Sequence, residues 1–139
     1  MRLFLFALLL SCGPAECKTA EGAPSCEATL RAADIIDDVY EAAGLQRSAW
    51  AQEFEWVEGE RFLEDGRGLW GRTEPSFPKF CYTRIAARSE IPSGTSMAHE
   101  ALHCSLALSA VEFGDMNHTS VHWSSTLWEA NRTLIANGL

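Results

Sequence analysis

His99, Glu100 and His103 stand together in the stretch "MAHEALHCSL", residues 97–106, with the glutamate directly after the first histidine. On a helix, residues four apart project from one face a turn apart, so both imidazoles can converge on one ion with Glu100 alongside. The chemistry this suits is hydrolysis on Zn2+. Neutral imidazoles bind zinc at about 2.0–2.1 Å, an open fourth position holds a water, and a carboxylate just outside the metal sphere takes that water's proton. A third ligand is required. The chain's other two histidines, His118 and His122, are again four apart, in "GDMNHTSVHW". His118 is the better placed, because a helix running on for about two turns past His103, at ~5.4 Å each, followed by a turn over 114–117, returns the chain to the site there. His122 is the rival, but it shares a face with Thr126, Glu129 and Thr133 and reads as a surface histidine.

The HExxH pattern resembles that of zincin metallopeptidases. Ser109 and Leu106 stand where the longer HExxHxxGxxH form needs a histidine and a glycine, so the metzincin version is excluded. The gluzincin version takes a glutamate from a following helix, for which Glu129 is the candidate. The stretch is most similar to peptidases whose third histidine comes from a turn, as in SprT-like proteins. Their order of leading helix, small sheet, HExxH helix and histidine-bearing turn resembles residues 25–125. That resemblance, of motif and order only, implies His99, His103 and His118 as metal ligands and Glu100 as general base. SprT-like proteins act on DNA-linked substrates through added basic parts, which this acidic chain lacks, so their substrate is not carried over.

Around this site, Asp115 and Glu112 are candidates to accept the outer N–H of a ligating histidine, or are ordinary turn carboxylates. Cys104 follows His103 directly, and successive helical residues point about 100° apart, so it should face the core or a disulfide. Tyr82 or Arg84, on a neighbouring strand, are candidates to assist an oxyanion. Trp50, Trp56, Trp70, Trp123 and Trp128 read mostly as core.

The elements that must position these residues are legible from periodicity. "SCEATLRAADIIDDVYEAAG" predicts a helix with Ser25 as N-cap and Gly44 as its stop. Asp34, Asp37, Asp38 and Glu41 share one of its faces and read as a solvated stripe. "FEWVEG", "GLWGRT" and "KFCYTRIAAR" are short, aromatic or β-branched, and predict strands. In the last, Cys81, Thr83 and Ile85 should face one way, with Phe80, Tyr82 and Arg84 facing the other. Pro75 and Pro78 keep residues 74–78 out of a central strand. The HExxH helix should start at Ser93 or Thr95 and stop at Gly114, and a last helix should carry Trp123, Leu127, Ala130 and Leu134 inward. The fold class expected is α+β, a small zincin-like single domain over residues 25–139.

The chain has 139 residues, 47% of them hydrophobic, enough for one core. Residues 1–11 read as a signal peptide, a basic residue followed by a short apolar run too brief to span a bilayer. Their end, "LLSC", resembles a bacterial lipobox, which implies lipidation of Cys12 and residues 12–24 as a flexible tether to a membrane. Plain secretion is the alternative; both put the chain outside the cytoplasm. Loss of Arg2 with the leader takes the formal charge from −8 to −9, which argues against a nucleic-acid partner. Cys17, Cys26, Cys81 and Cys104 then remain, an even set for disulfides with three possible pairings.

The function expected is that of an exported zinc-dependent hydrolase, a metallopeptidase acting on a peptide or protein substrate. The alternative is a non-catalytic, zinc-stabilised envelope lipoprotein, in which all four histidines close the metal site. A third reading has no metal, with the histidines merely satisfying backbone groups.

Overall fold

A computed structural model describes residues 16–75, 80–88, 93–111 and 114–139. The leader, Cys12 and the first residues of the expected tether lie outside them, as do Glu112 and Pro78. The order is β1 (Glu16–Lys18), α1 (Cys26–Ala42), a 3-10 turn (Ala49–Ala51), β2 (Gln52–Val57), β3 (Phe62–Glu64), β4 (Arg67–Leu69), β5 (Gly71–Pro75) and β6 (Cys81–Ala86). There follow α2 (Ser93–Leu108), a second 3-10 turn (Val121–Trp123) and α3 (Ser125–Ala136). The fold is α+β. Four strands form one sheet in the order β1-β2-β6-β5, with β5 antiparallel at one edge and the other pairs parallel; β3 and β4 make a separate hairpin. No helix among the described residues is long and apolar enough to cross a membrane.

Ser25 caps α1 through its hydroxyl, which accepts from the Ala28 N–H at 3.1 Å. Ala32, Ala33, Ile36 and Tyr40 then recur at helical spacing and are buried. Strands β2 and β6 alternate as a half-buried sheet must: Gln52, Phe54 and Trp56 point inward, as do Cys81, Thr83 and Ile85. Of these, Phe54, Trp56 and Ile85 join Met97, Ala98, Ala101, Leu102 and Leu106 of α2 and Ala130 and Leu134 of α3 in one core. The central helix, α2, is buried on most of its circumference and packs on β5 and β6 as well as on the other helices.

Several expectations are corrected. Residues 16–24 are not a free tether. Glu16–Lys18 pairs in parallel with β2, and Cys17 is disulfide-bonded to Cys26 at the start of α1, so a segment of small and polar residues is held by backbone pairing and a cross-link that its composition does not reveal. The second disulfide joins Cys81 to Cys104. Helix α2 stops at Leu108, six residues before Gly114. Ala110 adopts a left-handed φ of 65°, and the Val111 N–H closes back on the Leu106 carbonyl at 3.0 Å, a helix-ending arrangement usually given to glycine. Trp123 lies in the short 3-10 turn before α3 rather than within that helix. Of the tryptophans, Trp56 is core, its indole donating to Thr29 Oγ1 at 2.9 Å, whereas Trp50 and Trp128 are exposed.

The acidic stripe on α1 divides. Asp38 and Glu41 are exposed and grip Arg47 at 2.6 and 3.1 Å. Asp37 is buried, and its carboxylate accepts the main-chain N–H groups of Ser48 (2.8 Å) and Ala49 (3.0 Å), ordering the turn into β2. Burial raises its pKa against the opposing pull of those hydrogen bonds. Replacing Asp37 with alanine strands two buried donors, so urea unfolding of Asp37→Ala should show a loss of roughly 2–4 kcal/mol. Asp38→Ala, at the surface, should shift stability by less than about 0.5 kcal/mol.

Candidate metal centre

Helix α2 presents His99 and His103 one turn apart, and the loop between α2 and α3 returns His118 to them. One ring nitrogen from each of the three lies within 4.8 Å of the others, and His99 Nε2 is 3.2 Å from His118 Nε2. Two ligands of a tetrahedral zinc with bonds of about 2.0–2.1 Å are spaced about 3.3 Å apart, so the separation suits that ion. His103 is held by one ring nitrogen: Nδ1 donates to the Gly114 carbonyl at 2.7 Å, which leaves Nε2 as the nitrogen available to a metal. Burial, with the neighbouring histidine rings, pushes His99 down to about 4 and lowers His103 as well, which favours in these two rings the neutral form that a metal requires.

The close approach of the loop depends on Gly114. It adopts φ +64°, and a Cβ there would stand 2.3 Å from the His103 carbonyl oxygen. Asp115 and His118 also take left-handed backbone, with φ of 57° and 55°. What holds them is the Asp115 carboxylate, which accepts from the Thr119 hydroxyl (2.7 Å), the Ser120 N–H (2.6 Å) and the Trp123 indole (2.7 Å). Burial alone would raise this carboxyl; those donors outweigh it and keep the group far below the usual carboxylate range. Trp123 in turn packs against all three histidines, with ring centroids 4.8, 4.6 and 4.2 Å from His99, His103 and His118.

Glu100 is only 6% exposed, and burial pushes its carboxyl up to about 7 despite a hydrogen bond to Thr73 that favours the charged form. Thr73 Oγ1, on β5, lies 3.0 Å from Glu100 Oε2. Two residues earlier, a Cβ on Gly71 would meet Glu100 Oε1 at 2.6 Å, so the strand must be bare there to admit the carboxylate. Glu100 and the three histidines line one cavity of about 340 Å3, rimmed by Glu64, Arg67, Arg72 and Met116.

The remaining site candidates fall elsewhere. His122 is outside the group, its Nδ1 2.8 Å from Thr126 Oγ1. Glu129 is half-buried and paired with Arg132 at 2.5 Å. Neither Tyr82 nor Arg84 lines the cavity, and Arg84 is held by Glu64 at 2.5 Å. Asp115 does not accept from a ligating imidazole; the Gly114 carbonyl takes that part, and Asp115 instead braces the loop. Sequence reasoning missed Gly71, Thr73 and the role of Trp123. The available signals were a glycine and a threonine two residues apart on a strand, and a tryptophan directly after "HTSVH".

No protein-family model, curated protein or solved structure matches the chain. Its three histidines are grouped as residues that could hold a metal ion.

Because Asp115 braces the loop that carries His118, Asp115→Ala should weaken any metal binding by the three-histidine group, with Zn2+ as the probe ion, about tenfold to hundredfold, the usual effect of losing a ligand's support. Competition with a chromophoric chelator measures this, and far-UV circular dichroism should remain that of the parent. Equal affinity in the two proteins would show that the loop holds His118 without Asp115.

Proposed function

We propose that the chain is a zinc-dependent hydrolase, and specifically a metallopeptidase, with Glu100 as its general base and His99, His103 and His118 as metal ligands. The observation that carries this reading is a trio of converging imidazoles beside a buried carboxylate in one open cavity. Catalytic zinc keeps three protein ligands and an open position, whereas structural zinc is closed by four. Among the described residues no fourth histidine, cysteine, aspartate or glutamate joins the group, so the closed four-histidine alternative finds no support in the position of His122.

The ligand types favour zinc: three neutral imidazoles suit it, while magnesium and calcium take oxygen ligands. When bound, the ion supplies a Lewis acid that polarises a carbonyl and acidifies a water. The chain's own residues do the rest. Thr73 fixes the Glu100 carboxylate through Oε2. Glu100 accepts a proton from the attacking water and returns it to the departing amine, a general base turned general acid. Trp123 and Gly114 hold the imidazoles in their orientations.

The two disulfides support an oxidising compartment. We therefore propose that the chain is exported to a bacterial cell envelope, through Cys12 if the lipobox is used.

Elemental analysis of chain purified without chelator should find one zinc per molecule, lost on His118→Ala and retained on His122→Ala. Glu100→Gln should keep the zinc and lose peptide cleavage by about a hundredfold or more, the scale of general acid–base catalysis. Chelation should abolish cleavage, and added zinc should restore it. A zinc-free wild type, or a Glu100→Gln protein that cleaves as the parent does, overturns the proposal.

A further inference from the structure

Beside the metal cavity lies a second hollow of about 490 Å3, and the two share Arg72, Thr73, His103 and Met116 in their walls. They are therefore neighbouring parts of one groove, divided at His103. The second part is the more apolar of the two. Ala107 follows His103 by one helical turn on the same face of α2, and its small side chain leaves the space open. The helix then ends at Leu108, so Ala110 and Val111 turn across the hollow and form a further part of its wall.

Two further features bear on what enters. Phe80 and Met116 belong to the lining, yet they are 45% and 56% exposed, large apolar groups left in water beside the hollow. An apolar occupant would cover them. The charged residues in the wall select no charged partner, because Arg72 is already paired with Glu64 and, at 3.5 Å, with Glu74. The volume falls within the range of cavities that hold small organic groups.

We infer that the substrate carries a large apolar side chain next to the bond that is cleaved, and that this side chain enters the hollow between Ala107 and Phe80. This rests on the peptidase reading of the neighbouring site. The specificity is then set by Ala107, whose size decides whether the hollow exists, and by Phe80 and Met116, which flank it.

The test uses the full zinc-loaded chain and two probes that need the metal but not turnover, acetohydroxamate and phenylpropionohydroxamate, with binding followed by calorimetry. The benzyl-bearing probe should bind about tenfold to hundredfold more tightly, the gain expected from burying an aromatic side chain. Ala107→Leu, which fills the hollow, should cut that preference to about threefold or less with one zinc still bound per chain. Phe80→Ser, at the exposed margin and tolerant of the change, should lower it by a smaller factor. Equal affinity of the two probes for the wild type, or a preference unmoved by both substitutions, overturns the inference. The two readings fail differently. A strong preference with no cleavage of any peptide removes the peptidase reading and leaves the apolar subsite standing. Cleavage of peptides irrespective of the flanking side chain does the reverse.

Discussion

The structure depends on keeping a carboxylate inside it. Glu100 sits on the most enclosed helix and is nearly out of reach of solvent, a placement that costs several kcal/mol unless the group is hydrogen-bonded or neutralised. Thr73 supplies the bond, and it can do so only from an antiparallel edge strand laid against α2. The demand continues into the sheet. Thr73 pairs with Thr83 across the ladder at 3.1 Å, Thr83 donates to Gln52 at 3.0 Å, and Gln52 donates to Ser48 at 2.7 Å. Ser48 is bound by its N–H to Asp37 on α1. A line of polar groups thus crosses three strands and runs from the leading helix to the residue beside the histidines.

Helix α2 is fixed along its length in a way that suits this task. Tyr40 donates to the Ala98 carbonyl at 2.5 Å, one residue before His99. The Cys81–Cys104 disulfide clamps the residue after His103 to the sheet. Farther on, Ser105 donates to the Gln46 carbonyl, and Ser109 accepts from the Gln46 N–H at 3.0 Å. Two of the three imidazoles therefore rest on an element with little freedom to shift, the condition under which a site keeps its geometry. Polar residues at core positions, which weaken a purely apolar interior, here serve as attachments.

Legibility in the sequence followed the range of the interactions. Ser25, the spacing of Ile36 and Tyr40, and the alternation in "CYTRIA" specify local structure, and each element they predict is present. The histidine pair was readable because helical spacing is itself local, and His118 because a turn could bring it back. What escaped is what depends on distant partners. Glu16–Lys18 becomes a strand only because β2 offers an edge, and Asp37 is buried only because the following loop folds over it. The end of α2 was misplaced because an alanine, not a glycine, takes the left-handed position at residue 110. Trp123 satisfied a helical repeat with Leu127 and Ala130, and nothing in that repeat distinguishes a ring packed on histidines from one packed on leucines.

The segment that completes the site is also the one whose backbone is least relaxed. Of the four described non-glycine residues with left-handed φ, three are Ala110, Asp115 and His118, each costing on the order of 1–2 kcal/mol. Such conformations persist only where the surroundings over-determine them. Around Asp115 they do: its carboxylate gathers three donors from residues 119, 120 and 123, and Gly114 offers its carbonyl to His103. Trp123 joins the two sets of contacts, hydrogen-bonding to the brace and packing on the imidazoles. The loop's internal hydrogen bonds and the three-histidine group thus share residues. Asp115 and His118 stand three residues apart in this loop, and Asp115 is held in part by the same tryptophan that packs on the histidines.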